Sequence, residues 1–155
     1  RSAQRVLDVF RARGLPVIHV QEAHRADHVD FGRELDGAEG LHCLEDSPGT
    51  DFAWLTYPLP GEYRVIKRRY SAFFGTDLEI LLRGLHVDTL VLVGGLTDVC
   101  IHYTAVDAHQ WDYYIRVVTD AVAGSSPEAH AASLRAVRYL QRDALVTAAD
   151  VEAAT

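Results

Sequence analysis

The chain has 155 residues, 48% of them hydrophobic and 24% charged, with a net charge of -7. This is the composition of one globular domain and not of a disordered chain. The acidic balance argues against general nucleic-acid binding, and no apolar run approaches the ~20 residues that a membrane-spanning helix needs.

Residues 2–13 are predicted as a helix, with Val6, Val9, Phe10 and Arg13 on one face and Gly14 as its stop. After Pro16, Val17-Ile18-His19-Val20 reads as a buried strand. Residues 22–61 are the least regular part, crowded with charge, Gly and Pro, and a loop of that length in a compact domain is usually functional or holds short helices. A strand is predicted at Tyr63 to Ile66. The next helix runs from Thr76 to about Gly84, with Thr76 and Glu79 as a capping box and Leu78, Leu81, Leu82 and Leu85 as its apolar stripe. Thr89-Leu90-Val91-Leu92-Val93 is apolar throughout, the pattern of a parallel strand covered on both faces. A helix follows from about Asp98, with Ile101, Ala105 and Ala108 on one face. Then come a strand at Tyr114 to Thr119, a helix capped by Ser126 with Pro127 at its first position and running to about Gln141, and a last strand at Ala144 to Val146. Helices alternating with strands predict a three-layer α/β fold with a mainly parallel sheet, in a single domain over residues 1–155.

Two features carry candidate chemistry. In open α/β sheets ligands bind at the carboxyl ends of the strands. There, Val93-Gly94-Gly95-Leu96-Thr97-Asp98-Val99-Cys100 turns a buried strand into a helix that has a cysteine in its first turn. Unpaired N–H groups and a positive partial charge at that end favour thiolate and an adjacent oxyanion. A small buried residue packing a helix start is the plainer alternative. The second feature is Lys67, the one lysine in a chain whose other basic residues are all arginine. Lysine can lose and carry a proton where arginine cannot, although a solvated surface lysine would look the same in sequence. Cys43 and Cys100 form no C-x-x-C pair and give no disulfide framework. The compartment expected from this is the cytoplasm.

The segments Arg64-Val-Ile-Lys67-Arg-Arg-Tyr-Ser-Ala-Phe-Phe-Gly-Thr-Asp-Leu78 and Val93-Gly-Gly-Leu-Thr-Asp-Val-Cys100 resemble the isochorismatase-like cysteine hydrolases. So do Pro16–Arg25, His42–Gly49 and Val118–Ala121. The resemblance implies a Rossmann-like sheet of six parallel strands in the order 3-2-1-4-5-6, and a catalytic set of Asp, Lys and Cys. By motif, Lys67 matches the lysine and Cys100 the nucleophile. A cis peptide would fall at Gly95–Leu96, with the backbone N–H groups of Leu96 and Cys100 as the oxyanion site. The catalytic Asp belongs at the end of the first strand, and Asp8, Asp30 and Asp36 do not match it.

The implied reaction is cleavage of a C–N bond in a small amide, ureide or N-carbamoyl compound through a thioester, with no cofactor. The implied assembly is a homo-oligomer. The closest likeness is to the branch acting on N-carbamoylsarcosine, ureidoacrylate or biuret. Tyr70 and Phe73 are candidate pocket walls, with core packing as the alternative. Arg68 and Arg69 would meet a substrate carboxylate or be paired elsewhere. Nicotinamidases in the same superfamily bind zinc through Asp-x-His and a later His. Glu22-x-His24 and His42 fall at matching places, but Glu replaces Asp, so His24 and His42 are expected to be polar loop residues and Cys43 a packed loop thiol. A chain with no methionine that begins at Arg1 is expected to belong to a domain of roughly 180–200 residues. Its central strand and Asp would then lie upstream. Were Arg1 the mature start, a non-catalytic subunit or binding module would be the alternative.

Overall fold

The computed structural model describes residues 1–154. Its elements are α1 (Ser2–Ala12), β1 (Ile18–Glu22), β2 (Tyr63–Lys67), α2 (Leu78–Gly84), β3 (Thr89–Gly95), α3 (His102–Gln110), β4 (Tyr114–Ala123), α4 (Pro127–Leu140), β5 (Leu145–Val146) and α5 (Ala148–Ala154). The irregular stretch between β1 and β2 holds short 3₁₀ turns at Arg33–Asp36, Pro48–Thr50 and Trp54–Thr56.

The layering follows from β4. Neighbouring residues on a strand point to opposite faces, and Val117 and Val118 are both fully buried. Val117 and Ile115 join Val65, Leu78, Leu82, Ala105, Ala108 and Val137, so β2, α2, α3 and α4 close one face. Val118 joins Val6, Ala148 and Val151, so α1 and α5 close the other. This is the α/β three-layer arrangement that the alternating pattern predicts.

The sheet departs from the expected continuous six strands. β1 pairs in parallel with β2, and β3, β4 and β5 form a separate parallel sheet. Between them runs an apolar slot lined by Ile18 and Val20 of β1, Val91 of β3 and Phe10 of α1. The slot also explains the burial of β3. Its continuous apolar run predicts cover on both faces, yet Leu90 to Val93 are only half-buried, because the edge toward β1 is unpaired among the described residues.

Other elements shift for local reasons. α2 begins at Leu78 rather than Thr76 and has no capping box. Thr76 Oγ1 donates to the Ala72 carbonyl (2.5 Å) and accepts from the Leu78 N–H (3.2 Å), while Glu79 pairs with Arg83 one turn on. β4 continues to Ala123, because its far end pairs with Gly94 and Gly95 after a bulge. α5, which apolar periodicity did not reveal, is tied down by the buried Ala148 and Val151.

Candidate active site

Three strand ends converge. The β1–β2 register sets Glu22 opposite Lys67, the last residues of their strands. Cys100 comes from the turn that follows β3. The Lys67 ammonium is buried, 4% exposed, and donates to Glu22 Oε2, to the Arg69 carbonyl (2.8 Å) and to Cys100 Sγ (3.2 Å). The Cys100 thiol in turn points at Glu22 Oε2, 3.6 Å away. Lys67 and Cys100, the two residues singled out in sequence, are therefore in direct contact. Glu22 joins them, a role that sequence reasoning missed by weighing it only as a metal ligand. The available signal was its position as the last residue of a strand ending beside Lys67.

The surroundings favour the protonated form of Cys100. Burial pushes the Cys100 thiol up and the Glu22 charge adds to this, outweighing the opposing pull of Lys67. A helix start alone predicts the reverse, but Cys100 sits in a wide five-residue turn, Thr97–Ile101, ahead of α3. Burial would also raise the Glu22 carboxyl, yet the Lys67 ammonium, His42 and His24 together hold it below its ordinary range.

The turn that carries Cys100 is braced from behind. Gly94 takes φ +118°, which suits glycine, and the Gly95–Leu96 peptide is cis, as the resemblance implies. The Ile101 N–H closes the wide turn on the Leu96 carbonyl at 3.1 Å. Thr97 is buried; its Oγ1 meets His130 Nδ1 (2.9 Å) and its carbonyl accepts from Ser133 Oγ (2.9 Å). Ser133 Oγ accepts in turn from His102 Nδ1 at 2.9 Å, so α4 and α3 share one polar network. The Asp98 carboxylate accepts from the Ser125 N–H (2.8 Å) and hydroxyl (2.5 Å) and is held below its ordinary range by that hydroxyl.

The remaining candidates separate clearly. Arg68 and Arg69 are paired within the chain. Arg68 donates to the Ala23 carbonyl and to Glu45 (2.7 Å) and lies 3.2 Å from Asp30. Arg69 donates to the Asp30 carbonyl at 2.7 Å. Both pin the irregular loop against the end of β2. Tyr70 stacks on Tyr103, with ring centroids 5.7 Å apart, and its hydroxyl is pushed up by burial and by the Glu34, Glu39 and Glu22 charges. Phe73 is partly buried, packed against the main core and Tyr113 beside the buried Ala72. Cys43 is a half-buried thiol in a left-handed turn of the loop, φ +48°.

His24 lies in the loop after β1, fully buried and stacked on Phe31 at 3.9 Å. Glu22, His24 and His42 bring one donor atom each within 4.8 Å of one another, a grouping that in outline could hold a metal. In this structure the same atoms are hydrogen-bonded. His42 Nδ1 faces the Gly40 carbonyl (2.6 Å) and its Nε2 faces Glu22 Oε1 (2.9 Å). Both partners only accept, so bonding to both at once takes a proton on each ring nitrogen of His42. Its pKa is accordingly raised, the Gly40 carbonyl and Glu22 overcoming the effect of burial. The other oxygen of Glu22 is taken by Lys67. As arranged, Glu22 and His42 are engaged in hydrogen bonds, while the buried His24 Nδ1 has no hydrogen-bond partner among the described residues.

The comparisons agree with this geometry. The family model described as Isochorismatase domain matches residues 1–151. The nicotinamidase of Escherichia coli (strain K12) is 31% identical over 79% of this chain and 70% of its own length. The ureidoacrylate amidohydrolase RutB of Rhizobium rhizogenes is 30% identical over 82% of this chain and 58% of its own. Among solved structures, the N-carbamoylsarcosine amidase of Thermoplasma acidophilum superposes with a TM-score of 0.79 at 32% identity, covering 95% of this chain and 80% of that one. The chain spans between 55% and 70% of the length of the curated relatives it matches. With the motif matched end to end and the lysine and cysteine in contact, the chain belongs to the isochorismatase family.

Proposed function

We propose that this chain carries the active site of a cysteine-dependent amidohydrolase, which cleaves a C–N bond of a small amide, ureide or N-carbamoyl compound through a thioester. The observation that carries this is the Lys67 Nζ to Cys100 Sγ contact of 3.2 Å at the carboxyl end of the strands. Cys100 attacks the carbonyl, and the backbone N–H groups of Leu96 and Cys100 receive the oxyanion. Lys67 balances the negative charge that grows on sulfur, ammonia or an amine departs, and water hydrolyses the thioester. The relatives' substrates, a ureide, an N-carbamoyl amine and an aromatic amide by name, share the C–N bond but not the acyl group, so the proposal stops at that class. Tyr70, beside the site, would form one wall of the substrate pocket.

The slot between β1 and β3 belongs to the same proposal. One strand placed there would pair with both free edges and give the order expected of the family, 3-2-1-4-5-6, and the resemblance puts an aspartate at its carboxyl end. The assembly we propose is a cytoplasmic homo-oligomer, checked by light scattering and cell fractionation. No helix among the described residues is long and apolar enough to cross a membrane.

The test is a panel of ureides, N-carbamoyl amines and amides scored by ammonia release, with mass spectrometry of the protein during turnover of a slow substrate. An acyl adduct on Cys100 is expected. Full turnover by Cys100→Ala would falsify the proposal.

A further inference from the structure

We propose that His130 is a positioning residue of this site: through the hydroxyl of Thr97 it fixes the turn whose backbone N–H groups, at Leu96 and Cys100, receive the oxyanion. This deepens the cysteine mechanism and rests on it. His130 acts on the reaction only through Thr97.

The turn Thr97–Ile101 joins β3 to α3. On its entry side, Gly94 and Gly95 pair with Val122 and Ala123 of β4. Within it, the Leu96 carbonyl accepts from the Val99 N–H (3.2 Å) and the Ile101 N–H (3.1 Å). Those two bonds close the turn on itself without tying it to a neighbouring element. The tie comes from α4. His130 and Ser133, three residues apart on one face of that helix, both reach Thr97. His130 Nδ1 lies 2.9 Å from the Thr97 hydroxyl, and Ser133 Oγ donates to the Thr97 carbonyl at 2.9 Å. Thr97 is 1% exposed, so its hydroxyl has His130 rather than water as its partner. His130 is itself held in place. Its N–H donates to the Ser126 carbonyl at 2.9 Å in the capped first turn of α4, and Gly124 passes so close that a Cβ there would lie 2.8 Å from His130 Cβ.

An oxyanion donor is effective only at hydrogen-bond distance from the oxygen on which charge develops, about 2.7–3.1 Å. Leu96 directly precedes Thr97 and Cys100 follows it within the same turn, so a displacement of Thr97 moves both donors. With only its carbonyl held by Ser133, Thr97 could pivot about that one bond. The second bond, from its hydroxyl to His130, removes the pivot. The imidazole needs no charge for this, because a neutral ring nitrogen can accept from a hydroxyl or donate to it.

The test compares two reactions of the same sulfur. Acylation of Cys100 by p-nitrophenyl acetate passes through a tetrahedral oxyanion, and alkylation by iodoacetamide does not. In His130→Ala the burst of nitrophenolate should slow by about 10–10²-fold, the scale of a misplaced donor and below the ~10²–10³-fold of a donor lost outright. The alkylation rate should be retained. His130→Asn puts an amide atom where Nδ1 stood and should restore most of the burst. Thr97→Val keeps the shape without the hydroxyl and should match His130→Ala, with the double variant no slower than either single one. It also carries the test if His130→Ala fails to fold, which near-ultraviolet circular dichroism checks. Wild-type acylation in a folded His130→Ala or Thr97→Val protein overturns the proposal. An equal fall in acylation and alkylation overturns it too, because it marks a general loosening of the site. So does a His130→Asn protein as slow as His130→Ala, which makes ring packing the cause. A burst that persists in Cys100→Ala is a different failure: it removes the cysteine mechanism, and this proposal with it.

Discussion

Replacing Lys67 by glutamine removes a buried cation from between two groups that both depend on it. At 3.2 Å from Cys100 Sγ, a unit charge on sulfur would gain about 5 kcal/mol at an effective dielectric constant of ~20 and about 1.3 kcal/mol in water. Cys100 is only partly buried, so its environment lies between these limits. Even the lower limit is close to the ~1.4 kcal/mol that corresponds to a factor of ten. Lys67→Gln should therefore slow iodoacetamide alkylation of Cys100 by at least about tenfold at fixed, mildly alkaline pH. Lys67→Arg keeps the charge, but its planar fork cannot occupy the compact position that donates to Glu22, the Arg69 carbonyl and sulfur together. It should recover part of the alkylation rate without recovering turnover. Near-ultraviolet circular dichroism separates these effects from unfolding. Unchanged alkylation in a folded Lys67→Gln protein would refute the claim that the ammonium stabilises the thiolate.

Three further outcomes follow from the scaffold. Glu62 is held at about 2 by the Arg11 guanidinium at 2.7 Å, helped by the Leu59 N–H and His19 against the effect of burial. This depressed carboxylate contributes stability above its ordinary range that is lost as pH falls from about 4.5 toward about 2. Full conversion of that shift would give ~3 kcal/mol, and partial exposure of the pair reduces it to ~2 kcal/mol. Urea titrations of Glu62→Gln should show that deficit at neutral pH and none at the acid end. A Cβ on Gly124 would lie 2.7 Å from Asp98 Oδ1 and 2.8 Å from His130 Cβ, so Gly124→Ala should cost about 1–3 kcal/mol and lower kcat by displacing the nucleophile turn, measured by thermal melting and ammonia release. Ser133→Ala strips the donor from the Thr97 carbonyl and the acceptor from His102. It should cost about 1–3 kcal/mol for the groups left unpaired, and wild-type stability in chemical denaturation would refute that network.

Much of this was legible in sequence because it is local. The apolar stripes placed the helices, Ser126 and Pro127 mark the observed start of α4, where Ser126 Oγ accepts from the Ala129 N–H at 3.1 Å, and the motif paired Lys67 with Cys100. What was not legible depends on which of several possible partners the fold gives each side chain. Thr76 and Glu79 have the spacing of a capping box, but Ala72 and Arg83 compete for them and win. Phe73 sits two residues from a buried serine and next to a buried alanine, and only the path of the chain decides that it faces Tyr113. Glu22 looked like a ligand because its neighbour in spacing is His24, whereas the strand register hands its other oxygen to Lys67, a partner 45 residues away.

That register also accounts for a thiol that is protonated at rest at a site expected to favour thiolate. A helix start and an ammonium would by themselves produce a standing thiolate, reactive toward oxidants as well as substrates. Here the carboxylate that ends β1 sits against the same ammonium, so the Lys67 charge is shared and the sulfur keeps its proton. Under the proposed mechanism the negative charge appears on sulfur only as its proton leaves, which is when a carbonyl must be in place to receive it. The three groups are fixed in place, two of them set side by side by the pairing of β1 with β2 and the third held by a turn that α3 and α4 brace from behind.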